Sequence, residues 1–157
     1  MPRGAWLAAL FHVFCALACA ASFSEQHTLV LSDQDGTRLF ACAVRPGERF
    51  SIVFTHSLAL STVEEVFESM EGGGFRLIET VYADFGAGLP HEEMPGQKMR
   101  FEDGKIILDG YTAEFDELWL RVGHIADHRL VTPTGERVHL NALARPGAAV
   151  GITVRVG

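Results

Sequence analysis

Cysteine is scarce. Of three in 157 residues, Cys15 and Cys19 sit near the start and Cys42 stands alone thereafter. Once the N-terminal segment is removed, no intramolecular disulfide can form, which excludes a disulfide-stapled scaffold. Cys42 falls in an alternating run and reads as a small buried hydrophobe, with a reactive or intermolecular thiol as the sharper alternative. Positive charge is also short: 13 Lys and Arg stand against 20 Asp and Glu, a formal net charge of −7. An acidic surface argues against nucleic acid or anionic lipid as a partner. Repeats, long linkers, low-complexity tracts and, beyond the N-terminus, long amphipathic helical patterns are all missing. Solenoids and helical bundles are thereby excluded.

What the chain does have begins with residues 1–21. Arg3 and the free amine give a positive start, and Ala5 to Ala21 is almost wholly apolar apart from His12. Ala18-Cys19-Ala20 followed by Ala21-Ser22 supplies the small residues of a cleavage site. These are the three parts of a secretory signal. An uncleaved anchor remains open, because the run approaches the ~20 residues needed to span a bilayer. A lipid attachment at Cys19 is weaker, since the usual aliphatic residue three places earlier is missing. A buried N-terminal helix is weaker still, because the run has no polar face. Cleavage after Ala20 leaves one domain of ordinary size, more acidic by one charge because Arg3 is lost. The expected location is the periplasm or cell envelope, with membrane contact only through an uncleaved segment.

From residue 22 to 157 the pattern is short apolar-rich runs punctuated by Gly, Pro, Asp or Asn. The runs are His27–Leu31, Thr37–Val44, Arg49–His56, Thr62–Met70, Phe75–Ala83, Lys98–Phe101, Lys105–Leu108, Leu118–Val122, Leu130–Thr132, Arg137–Leu140 and Ala149–Val156. Asp35-Gly36 and Arg45-Pro46-Gly47-Glu48 supply turn chemistry. Ala142 to Arg145 could form one helical turn, and Trp119, between two leucines, reads as core. Strands at this spacing predict an all-β fold, a small antiparallel β-sandwich or partly open barrel, as a single β-rich domain.

The stretch from Phe50 to Phe67 carries the candidate chemistry. Alternation puts Phe50, Ile52, Phe54 and His56 on one face, and Val63, Glu65 and Phe67 on one face of the next strand. Ser57 points away from His56, so the two cannot form a nucleophile–base pair from one strand. A hairpin closed by Leu58 to Ser61 would set His56 opposite Val63 and Phe54 opposite Glu65. His56 and Glu65 would then lie diagonally, roughly 7 Å apart at Cα. This pair can lock the hairpin register or anchor a ligand or partner. As metal ligands, two fall short of the usual three or four.

Gly86-Ala87-Gly88-Leu89-Pro90 is no phosphate fingerprint, because no helical pattern follows. It reads as a tight turn with φ > 0 at one or both glycines, or as a loop approached closely by a ligand. Asp84, His91, Glu92 and Glu93 beside it, with Glu64 or Glu68, match no calcium-loop spacing. His124, His128 and His139 are scattered and read as solvated or hydrogen-bonded surface histidines.

Phe54-Thr55-His56-Ser57, Glu64-Glu65-Val66-Phe67, Tyr82 and Gly86-Ala87-Gly88-Leu89-Pro90 resemble, in that order, the bacterial family called domain of unknown function 1850. The resemblance spans roughly Leu29 to Asp109, with residues 110–157 as an extension. Members of that family are exported or membrane-anchored proteins, often encoded beside tripartite (TRAP-type) transporters that use a periplasmic solute receptor. The resemblance implies an accessory role near solute uptake and carries over no catalytic residues. The expectation is a non-enzymatic module, without cofactor or bound metal, that binds a transporter component or a small solute. Its rim would comprise His56, Ser57, Glu64, Glu65, Tyr82, Gly86, Gly88 and Pro90. An envelope hydrolase using His56 and a purely structural envelope protein are the alternatives.

Overall fold

A computed structural model describes residues 26–84 and 88–157. The N-terminal segment read as a signal, and residues 85–87 with Gly86, lie outside the described residues. Among the described residues, none forms a helix long and apolar enough to cross a membrane.

The punctuated runs become strands almost where the turn residues bound them. In chain order these are β1 (His27–Ser32), β2 (Arg38–Val44), β3 (Arg49–Thr55), β4 (Thr62–Ser69), β5 (Phe75–Tyr82), β6 (Lys98–Glu102), β7 (Lys105–Asp109), β8 (Glu114–Phe115), β9 (Glu117–Arg121), β10 (Arg129–Val131), β11 (Arg137–His139) and β12 (Ala149–Arg155). The two-residue β8 is too short to leave an alternation in the sequence. The helical turn α1 covers Leu140–Leu143, two residues earlier than Ala142 to Arg145. Turn chemistry acts as expected between β1 and β2. The Asp33 carboxylate accepts the N–H groups of Asp35 and Thr37, and Gly36 takes φ 79°.

Two antiparallel sheets result. The smaller has the order β2-β1-β12-β9; the larger runs β11-β10-β3-β4-β5-β7-β6, with β8 added against β5. The C-terminal residues join both sheets, through β9 and β12 in one and β10 and β11 in the other. Neither sheet closes on itself, so the architecture is the sandwich rather than the barrel.

The core between the sheets takes Leu29 and Leu31 from β1, Val150, Ile152 and Val154 from β12, and Phe50, Ile52, Phe67, Phe75 and Leu130 from the larger sheet. Phe50 and Phe67 face each other across β3 and β4 with ring centroids 5.5 Å apart, and Phe75 meets Phe67 edge-on at 5.4 Å. Such aromatic pairs contribute about 0.5–1.5 kcal/mol beyond their burial.

A second apolar cluster lies on the same inner face of the larger sheet. Val63, Tyr82, Ile106 and Leu108 pack there under Leu89, Met99 and Tyr111. Leu89 and Tyr111 come from loops and Met99 from β6.

Trp119 departs from its expected core position. Leu118 and Leu120 pack against the core, while alternation turns Trp119 outward, 44% exposed. Its ring lies over Gly151, where an added Cβ would sit 3.0 Å from it. The missing side chain on the paired strand accommodates the indole.

Candidate functional site

The hairpin register differs from the expected one by two residues. Thr55 pairs with Thr62, Phe54 with Val63, and Ile52, not Phe54, with Glu65. The loop is therefore residues 56–61, and His56 belongs to it. The His56 N–H donates to Ser61 O at 2.8 Å, and His56 O accepts from the Leu60 N–H at 2.8 Å. The ring shares in the turn too, with Nδ1 accepting the Ala59 N–H at 3.1 Å. A shift of two keeps every side chain on its face, so the apolar pattern could not distinguish the registers. The chemistry of His56 as a turn residue decides. His56 and Glu65 consequently do not form the diagonal pair.

Glu65 is the unexpected feature of the inner face. It shares a row with Ile52 on one side and Thr80 on the other, inside an otherwise apolar surface. Among the described residues its carboxylate has no hydrogen bond and no ion pair. Partial burial pushes its carboxyl above the usual range, because water solvates the charge less well. Tyr111 lies close to it. Burial raises the Tyr111 phenol, the Thr80 hydroxyl pulls it down, and the negative charge of Glu65 raises it further.

Tyr82 occupies the next row, between Val63 and Ile106. Its hydroxyl donates to Pro90 O at 2.5 Å, fastening the loop after β5 over the second apolar cluster. Burial raises its phenol, and Tyr111 adds to that. Gly88 in this loop takes φ 89°, as one of the two glycines was expected to.

Ser57 is exposed in the 56–61 loop, beside Leu58 and Leu60, which are 74% and 71% exposed. The loop between β9 and β10 is held to the end of β3, just before this loop, by the Thr55 N–H donating to Ala126 O at 2.7 Å. It displays Ile125, 60% exposed. Each loop holds a non-glycine residue in the left-handed region, Leu60 at φ 53° and Asp127 at φ 40°. Such conformations cost on the order of 1–3 kcal/mol and concentrate at functional sites.

The expected rim thus divides. His56, Ser57, Tyr82, Gly88 and Pro90 belong to the loop end of the sandwich, with Glu65 half-buried in the inner face. Glu64, by alternation, lies on the outer face, where it pairs across with Val53. The sequence reading missed Tyr111 and Ile125, and it read His128 as a surface histidine where the structure half-buries it, with Nδ1 buried and without a hydrogen-bond partner. The His128 ring meets Phe54 at a tilt with centroids 5.4 Å apart, and burial lowers its imidazole against the opposing pull of Asp127. Chain neighbours gave no hint of these positions, because pairing between distant strands creates them. Among the described residues no three His, Cys, Asp or Glu side chains gather as a metal site.

The class of protein is therefore an antiparallel β-sandwich with a loop-capped end and a carboxyl in its inner face. The family described as domain of unknown function (DUF1850) matches residues 50–140, and the chain belongs to it. The match starts at β3 and includes β8 to β11, so it lies further along the chain than the Leu29–Asp109 span expected from the motifs. No curated protein and no solved structure matches the chain.

Proposed function

We propose that the protein is an exported, non-catalytic binding module of the cell envelope that docks on a component of a TRAP-type solute transporter. The observation that carries this reading is the exposed aliphatic side chains Leu58, Leu60 and Ile125 on two loops, one following β3 and one held to the end of β3 by the Thr55–Ala126 bond, each loop holding one strained non-glycine residue. Exposed apolar side chains gathered in one place mark interaction surfaces. His56 supports a positioning rather than a catalytic role. Its Nδ1 accepts the Ala59 N–H and so is engaged in holding the turn.

The test is affinity capture of transporter proteins from detergent-solubilised envelope. The bait is the full chain, compared with a Leu58→Ser/Leu60→Ser/Ile125→Ser variant of matched thermal stability. Recovery of a transporter subunit by the wild type, reduced about tenfold or more by the variant, is expected. Equal recovery by both, or recovery of no transporter subunit, overturns the reading.

A further inference from the structure

The outer face of the larger sheet, opposite Glu65, carries a concavity of about 330 Å³ lined by Val53, Thr62, Glu64, Arg129, Val131 and Arg137. Pairing explains its composition. Glu64 faces Val53 on β3, Val53 faces Arg129 on β10, and Val131 on β10 faces Arg137 on β11. Two guanidinium groups, one carboxylate and one hydroxyl therefore border an apolar floor of two valines. All six residues lie within the family match.

The charges do not neutralise one another. Among the described residues, Glu64 and Arg137 take part in no ion pair within 4.0 Å. The closest ion-pair approach of Arg129 is its Nε at 3.8 Å from Asp127 Oδ2, too long for a hydrogen bond. That Nε is buried and has no hydrogen-bond partner. Asp127 is meanwhile engaged through Oδ1 by Asn141 at 3.0 Å and by His139 at 3.2 Å. Two other concavities differ in this respect. The one beside Pro46 contains Arg76, already paired with Glu68. The one beside Gly36 holds Arg38 and Arg155 but no carboxylate.

We propose that this concavity is a binding site for a small carboxylate that also bears an amino or hydroxyl group. Arg137 and Arg129 receive the ligand carboxylate, and Glu64 accepts a hydrogen bond from the ligand's donor. A guanidinium offers a planar fork that matches a carboxylate. Glu64 disfavours a doubly charged anion such as phosphate and selects a ligand with a donor beside its acid. The volume suits a molecule of a few heavy atoms at the lower end of ligand pockets. The site is on the face away from the second apolar cluster and is independent of the transporter reading.

Titrations of the full chain with glycine, glycolate and acetate, against sodium chloride at matched ionic strength, test the proposal by amide chemical shifts. Saturable shifts at β3, β4, β10 and β11 are expected for glycine or glycolate, with acetate about tenfold weaker or more. Arg137→Gln, at an exposed position on an edge strand, should weaken binding of the preferred ligand about tenfold or more with an unchanged thermal midpoint. Glu64→Gln should shrink the preference over acetate while acetate itself binds at least as well. Shifts that follow ionic strength alone, equal affinity for acetate and its substituted forms, or an Arg137→Gln variant that binds normally would each overturn it. Tighter binding of inorganic phosphate than of glycine and glycolate would overturn the assigned ligand class.

Discussion

At the scale of the residue, Glu65 is the position where local choice and fold disagree. An unpaired carboxylate in an apolar face costs free energy that a neutral side chain of the same shape would not. Its folded-state value is raised by burial, so the native carboxyl keeps its proton to higher pH than the unfolded one. The stabilising contribution is full below the ordinary carboxylate range near 4.3 and is lost as pH rises through the raised value. Glu65→Gln is therefore expected to change the thermal midpoint little at acidic pH and to raise it increasingly as pH approaches neutrality. His128 works with the opposite sign, since its lowered value favours the native state above the ordinary imidazole value and weakens it as pH falls. That effect is common to both proteins and cancels in the difference. Midpoints measured by calorimetry across this range check the expectation. A gain that is the same at acidic and neutral pH would assign it to packing instead of charge.

At the scale of the element, the chain's own punctuation explains why strand positions were legible. Pro46-Gly47 and Asp35-Gly36 end runs whose alternation is clear, and the strands begin and stop within a residue or two of those signals. Register was less legible. His56 looked like the last strand residue by pattern, yet its backbone and ring build the turn, and the two-residue shift leaves the pattern intact. Trp119 shows the same limit from another side. Its alternation was visible, but which face is inner depends on a strand thirty residues later. Tyr111 was illegible for a further reason, because its place over Glu65 depends on the tight link that follows β7. Gly110 there takes φ 82°, and an added Cβ would collide with Gly96 O, a backbone atom that cannot swing aside. Gly110→Ala should then destabilise by more than about 1 kcal/mol, beyond the usual cost of glycine replacement. Urea unfolding monitored by tryptophan fluorescence measures it. Gly135→Ala, at φ 85° but with no atom within 4 Å of the added Cβ, separates the backbone cost from the clash and should be the milder change.

At the scale of the whole molecule, the family match and the folding unit do not coincide. Residues 50–140 contain the larger sheet, but of the smaller sheet they contain only β9. The strands that cover Phe50, Ile52, Phe67 and Phe75 are chiefly β1 and β12, which pair with each other over five residues at the centre of the smaller sheet. Bringing these two together joins the beginning and the end of the described chain, so the core closes only when both are present. Each large apolar side chain left uncovered forfeits roughly 1.5–3 kcal/mol, and several lose cover at once, against a total stability of about 5–15 kcal/mol for an ordinary domain. A fragment spanning residues 50–140 is therefore expected to lack a cooperative thermal transition and to bind a hydrophobic dye. A fragment spanning 26–157 should unfold in one cooperative step. Adding a synthetic peptide of residues 26–48 should not rescue the shorter fragment, because it supplies β1 and β2 without the β12 strand between β1 and β9. Cooperative melting of the 50–140 fragment alone would instead place the stabilising core in the larger sheet and its second apolar cluster.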